Sequence, residues 1–412
     1  MKTGFGIAFL LLSCHGWAQD ACTLIRLAAL EQNRWIFPTL SDSRIRSELE
    51  LTGTVSDIRV LNATMEREPV VVDPNPDLEK PQPAVANNPI ALAAVEMASR
   101  TWVKLPAATF YDRAGAQISA RRFFISDTGH CCTLYWNDSG SYDPLTDTVI
   151  VVGDASGQQP NAGHVHIYDV ATHSWRWGPE PTDGTIGGHG YDHNTECGEG
   201  YACYIRNGGG SVFRLDIAHG RWADLGHGPE RTAGTVHALT YMPGKGLIHI
   251  HPHLLPTRFE LWTPEGGWSA INVPNNELKN LSNHIFAEYL PVHDVVIFGG
   301  GNDFPTTVWT LNRNFVLSKP IKAPMRLRAS ETVEAEDPVS GDLITVGGTN
   351  RGMYSYNPTT NEWEDLSATG QPFKDLGSGM IAASLSKYGV ILYLRFDNRN
   401  ADMWLYKHKE RL

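Results

Sequence analysis

The chain's 16 histidines matter most where they fall beside a tyrosine and an arginine. His189, Tyr191 and His193 alternate along one short stretch, Arg206 follows, and His130 lies upstream. Further on, Ile248-His249-Ile250-His251-Pro252-His253 alternates histidines with apolar residues. In a strand, side chains two apart share a face, so this stretch lines up three imidazoles in a row, a pattern that suits zinc. A tyrosine, an arginine and several histidines, with no evident pair of facing carboxyl groups, suit removal of a weakly acidic proton beside a carboxylate. In β-elimination on a uronic-acid polymer, a cation neutralises the sugar carboxylate and steadies the enolate-like intermediate. A base takes the C5 proton and an acid protonates the leaving oxygen. Arg206, helped by a histidine, fits the first task, and Tyr191 and His130 fit the others. A hydrolytic glycosidase would instead want two carboxyl groups facing each other.

These residues must be positioned by a repeat. Trp175, Trp222, Trp268, Phe315 and Trp363 are separated by 47, 46, 47 and 48 residues, and each ends a similar phrase. Val295-Val296-Ile297-Phe298-Gly299-Gly300 matches Leu343-Ile344-Thr345-Val346-Gly347-Gly348 in this way. A period of this length, with several short strands per unit, predicts an all-β propeller. Val95 to Trp102 carries another closing phrase, and the excess spacing to Trp175 places an insertion within about 107–141. The C-terminal stretches Met380–Leu385, Gly389–Arg395 and Met403–Lys407 read as three strands lacking a fourth. A strand near Thr52–Val60 is expected to complete them, so that both termini share one blade and no sheet edge is left open. Blades ending near 105, 178, 225, 271, 318 and 366, plus the shared one, make seven.

The closing aromatics also serve as a ruler. Arg206 and His251 fall where Gly299 and Gly347 stand in other repeats, and Tyr191, His237 and His284 share a second position, at the start of innermost strands. His130, Tyr191 and Arg206 are therefore the expected catalytic set, with His189, His193, His237, His251 and His284 as substrate contacts. A histidine in such a fold also serves to cap strand ends, so the inference rests on several sharing one side of adjacent blades.

A net charge of −11 gives no support to nucleic-acid binding and requires a local cationic pocket for any acidic ligand. Lys2, the apolar run Phe5–Leu12 and the small residues Gly16 and Ala18 read as a signal peptide over 1–18. Leu11-Leu12-Ser13-Cys14 also reads as a lipobox, with Cys14 as lipid anchor. A secreted or periplasmic protein, or else an outer-membrane lipoprotein, is expected. Residues 19–50 form an N-terminal extension and 51–412 the propeller, and a monomer is expected. Cys197 and Cys203 are close enough to pair in an oxidising compartment.

The repeat resembles the Kelch family: a hydrophobic strand, Gly-Gly, then aromatic residues at set distances. The constellation of Tyr191 and Arg206 on one blade, preceded by His130, resembles that of the secreted propeller polysaccharide lyases, above all the ulvan lyases. That resemblance implies cleavage of an acidic, sulfated polysaccharide with no cofactor in the chemistry. A structural zinc or calcium is compatible with it. The chain departs from the family pattern at Val152-Gly153-Asp154, where a second histidine is expected. The competing reading is a non-catalytic glycan-binding or adhesion propeller. A copper radical oxidase would need a cysteine beside a ring tyrosine, and none has an obvious place there.

Overall fold

The repeat is built on a hairpin turn whose last residue takes a left-handed conformation. Asp147, His173, Asp294 and Asn361 sit there at φ 55°, 52°, 53° and 58°, where Gly220, Gly267 and Gly389 stand at equivalent turns at 63°, 62° and 69°. A left-handed residue with a side chain costs about 1 kcal/mol. Each of the four recovers a comparable amount through a tyrosine five residues earlier. Tyr142, Tyr289 and Tyr356 donate to Asp147, Asp294 and Asn361 at 2.8, 2.9 and 2.9 Å, and Tyr168 pairs with His173 Nδ1 at 2.5 Å. These tyrosines, buried or half-buried, thereby fix hairpin register at one end of the blades. Burial pushes the Tyr356 hydroxyl up to about 12.

The computed structural model describes residues 88–411 apart from 125–139, 154–163, 180–189, 191–192, 199, 207–209, 229–236, 253, 255, 275, 277, 279–280, 282, 329–330, 348–351, 374–378 and 398–399. All belong to one compact unit, Glu79–Leu412. They form six antiparallel blades. The innermost strands are Ser141–Asp143, Asn194–Glu196, Ala238–Met242, Ile285–Leu290, Thr332–Glu336 and Met380–Leu385, numbered here as blades 1 to 6. Each innermost strand contacts the next, and the sixth returns to the first. At that junction Gly140 N donates to Ala382 O at 2.8 Å.

The propeller is therefore borne out, and the expected seventh blade is not found among the described residues. The strand Thr101–Lys104, counted as the end of its own blade, is the outer strand of blade 6. It pairs antiparallel with Ala401–Lys407, placing Trp102 opposite Tyr406. The two termini of the ring do share a blade, but the N-terminal contribution is this strand; Thr52–Val60 lies outside the described residues. A helix, Pro89–Glu96, leads into it. The Asn88 side chain caps its start by accepting from Ile90 N at 2.9 Å, and Lys407 Nζ donates to Ala94 O and Met97 O at 3.1 and 2.9 Å at its end. No helix among the described residues is long and apolar enough to cross a membrane.

The insertion expected before blade 1 is present as strands Thr109–Tyr111 and Gln117–Ile118 and helix Ala120–Phe124. It widens blade 1 to six strands, with Thr109–Tyr111 parallel to Ser174–Trp177. Phe124 and Tyr168 bring their rings 5.7 and 5.0 Å from Trp175, which is fully buried. Trp222 and Trp268 instead anchor one blade to the linker leaving the previous one. Their Nε1 atoms donate to Pro179 O at 2.7 Å and Leu225 O at 2.9 Å. The period in the sequence thus reflects a repeated packing contact. Phe315 is the exception: in blade 4 it lies in a turn, beyond the nine-residue strand Phe304–Asn312.

Because strands alternate in direction, every innermost strand begins, and every second strand ends, at the same end of the ring. This is the upper face, opposite the tyrosine-braced turns.

Candidate functional site

On the upper face, one residue precedes each innermost strand: His193 in blade 2, His237 in blade 3, His284 in blade 4 and Glu331 in blade 5. Three histidines at one topological position match the second ring expected from the repeat, with His193 filling the blade 2 place. Arg206 directly follows the second strand of blade 2, Tyr201–Ile205, and His251 ends that of blade 3, Gly246–His251. Gly299 and Gly347 occupy the matching ends in blades 4 and 5. At Gly299 a Cβ would lie 2.6 Å from Thr307 O, so only glycine fits there. Blade 2 leaves room for a long side chain, and Arg206 is exposed; its backbone N–H donates to Ser211 O at 2.8 Å. His130, His189, Tyr191 and His253 lie outside the described residues.

The histidines of blade 3 converge on a carboxylate. Glu260 pairs directly across the strands with His249, and His251 lies two residues along the same face. Glu260 Oε2 meets His249 Nδ1 at 3.2 Å and His251 Nε2 at 2.6 Å. His249 Nε2 is 2.9 Å from His237 Nδ1, and the backbone N–H of His237 donates to His193 Nε2 at 3.4 Å. That last bond joins blades 2 and 3 and requires the Nδ1-protonated tautomer of His193. The linker passes so close to Glu260 that a Cβ at Gly228 would lie 1.9 Å from Oε2. A buried carboxylate is costly unless hydrogen-bonded, and these imidazoles supply the bonds. Burial, then the neighbouring His251, pushes His249 down to about 4, so its ring is neutral near pH 7.

The exposures of His193, His237 and His251 are 0, 2 and 1%, where direct contacts to a ligand were expected. Their rings turn inward to the Glu260 network, so they brace the face rather than line it. His237, His249 and His251 each offer a ligand nitrogen, all within 4.8 Å of one another. Three imidazoles are a donor set of the kind that holds zinc. Calcium, which takes six to eight oxygens, does not fit it. Alternation along the strand puts His249 and His251 together, as expected; the third imidazole of the cluster is His237, just before the first strand, and His253 lies outside the described residues. Glu260 was missed, although a lone glutamate between Phe259 and Leu261 in an apolar strand is a signal of buried charge.

Other cations edge this face. Arg258 starts the third strand of blade 3 and is exposed, Arg395 lies near the end of the second strand of blade 6, and Arg328 precedes blade 5. At the lower end, Cys197 and Cys203 form a disulfide with Cα atoms 5.6 Å apart. Compared with known proteins, the chain matches no protein-family model and no curated protein.

Proposed function

We propose that this chain is an exported polysaccharide lyase that cleaves a uronic-acid polymer, one of ulvan-like sulfated type, by β-elimination. The observation that carries the reading is Arg206: an exposed guanidinium at a strand end that blades 4 and 5 fill with glycine, on the face where the buried imidazoles of blades 2 and 3 gather. Arg206 binds the sugar carboxylate and takes up the charge that moves onto it as the C5 proton leaves. Tyr191 and His130 exchange the protons: one removes the C5 hydrogen, the C4–oxygen bond breaks, and the departing oxygen is protonated. The Glu260 network supports this chemistry indirectly. It joins the upper ends of blades 2 and 3 through the His237 N–H to His193 bond, next to the strand end that carries Arg206. Zinc bound to His237, His249 and His251 would tie the entry to the first strand of blade 3 to its second strand, with Glu260 beside the imidazoles as their hydrogen-bond partner.

The setting agrees with an acidic ligand on a protein of net charge −11, since Arg206, Arg258 and Arg328 give one face a local positive field. Export is supported by the Cys197–Cys203 disulfide, which persists in oxidising compartments. The test is to incubate the full chain with a panel of polyuronates and follow the ultraviolet absorbance of the conjugated uronate that elimination creates. Growth of that band with one polymer, and its loss in Arg206→Ala, is the expected result. Polymer binding without any product would favour the glycan-binding reading instead.

A further inference from the structure

Arg328 lies in the linker entering blade 5 and reaches across to blade 4. Its Nε donates to His284 Nδ1 at 2.8 Å, and its Nη1 pairs with Glu331. Among the described residues Nη2 donates no hydrogen bond, and the side chain is 25% exposed. A guanidinium held on two edges presents its third in a set direction, the geometry that captures an oxyanion. A surface Arg–Glu pair alone would be worth little and would need no such fixing.

The backbone around this pair is built to hold it. His284 itself is left-handed, at φ 69°, a sparsely populated conformation for a residue with a side chain. Gly301 N donates to Leu327 O at 2.9 Å, and Asn302 N to Asn283 O at 3.0 Å. The glycine run thus grips the residue before His284 and the residue before Arg328 at once. Cβ atoms at Gly300 and Gly301 would lie 2.3 Å from Leu327 O and 2.7 Å from Asn283 O, so only glycine allows this approach. On the other side, Arg328 N donates to Thr332 Oγ1 at 2.8 Å, and Thr332 N returns to Arg328 O at 3.0 Å. Strain at His284, glycines closed on both linkers and a doubly held guanidinium occur together on the upper face, across the mouth of the ring from Arg206.

We propose that Arg328, oriented by His284 and Glu331, is a second oxyanion-binding residue, taking a carboxylate or sulfate ester on another sugar of the same polymer that is held at Arg206. This rests on the polymer reading above and deepens it: the ligand is a chain with anionic groups on more than one sugar, lying across the ring mouth. His284 is then a positioning residue for the guanidinium.

Affinity electrophoresis of the full chain in polygalacturonate (uronate without sulfate) and in dextran sulfate (sulfate without uronate) tests it. Arg328→Gln is expected to weaken retardation by at least one polymer roughly tenfold, as for loss of a charge-assisted pair. The polymer affected identifies the group bound. Wild-type retardation of the variant in both polymers overturns the proposal. Should Arg328→Gln melt early, the wild-type protein decides: phenylglyoxal modification of Arg328, read by peptide mass spectrometry, is slowed by the recognised polymer, and equal rates with and without either polymer overturn the proposal. The two readings fail separately. Absence of elimination product with an Arg328-dependent shift removes the lyase alone, whereas product formation with no Arg328 dependence removes this subsite alone.

Discussion

Replacing Glu334 by glutamine is expected to make the propeller more stable in neutral solution. Glu334 lies in the innermost strand of blade 5, opposite Thr345, and is 4% exposed. Neither carboxylate oxygen finds a hydrogen-bond donor among the described residues. Thr332, the hydroxyl nearest in sequence, is committed to Arg328. Burial therefore pushes Glu334 from its ordinary 4.5 up to about 7. Below pH 4.5 the carboxyl is protonated in both folded and unfolded chains and costs nothing through ionisation. As pH rises from 4.5 to about 7, the unfolded chain ionises while the folded one keeps its proton, so stability falls across that window and levels off above it. At about 1.4 kcal/mol per pH unit, the loss at pH 8 is about 3 kcal/mol. Glutamine stays neutral at every pH and keeps the shape. Urea unfolding of wild type and Glu334→Gln at pH 4.5 and pH 8 should show near-equal stability at the lower pH and a gain of about 3 kcal/mol for the variant at the higher. A variant less stable at pH 8, or one whose advantage does not change with pH, would refute the reasoning: Glu334 would then have a partner that favours its charge.

Two further outcomes follow from the packing. Chelator-treated protein titrated with zinc should bind one equivalent and melt higher, while His237→Ala or His251→Ala should abolish both effects; calcium should produce neither. Gly300→Ala, which sets a Cβ against Leu327 O at a positive φ, should cost more than about 2 kcal/mol in urea unfolding, and a cost under about 0.5 kcal/mol would mean that the two linkers are not gripped there.

The period that reveals the propeller is legible because each closing tryptophan occupies one place in a repeated contact, as Trp222 and Trp268 do against Pro179 and Leu225. Blade number is harder to read. Thr101–Lys104 carries the same phrase as the end of a full blade, and only its pairing with Ala401–Lys407 reveals that it completes another. Periodicity records what a strand looks like and leaves open which strand it joins. The same limit applies to the site. Alternation puts His249 and His251 on one face, but their meeting with Glu260 depends on the register of a hairpin, and their meeting with His237 on a third strand. Arg328 stands outside every strand and every repeat position, so no ruler reaches it. Its place comes from glycines pulling two linkers together.

Arg206 is the residue on which the proposed elimination depends. The most direct measurement is the rate at which the full chain generates conjugated unsaturated uronate from a sulfated uronic-acid polymer, for wild type beside Arg206→Ala of equal melting temperature. Elimination by the wild type that falls at least about a hundredfold in the variant is the predicted result, as expected when a group stabilising transition-state charge is removed. Product formed equally fast by both proteins would contradict the assignment of Arg206, and no product from any polyuronate would contradict the lyase itself.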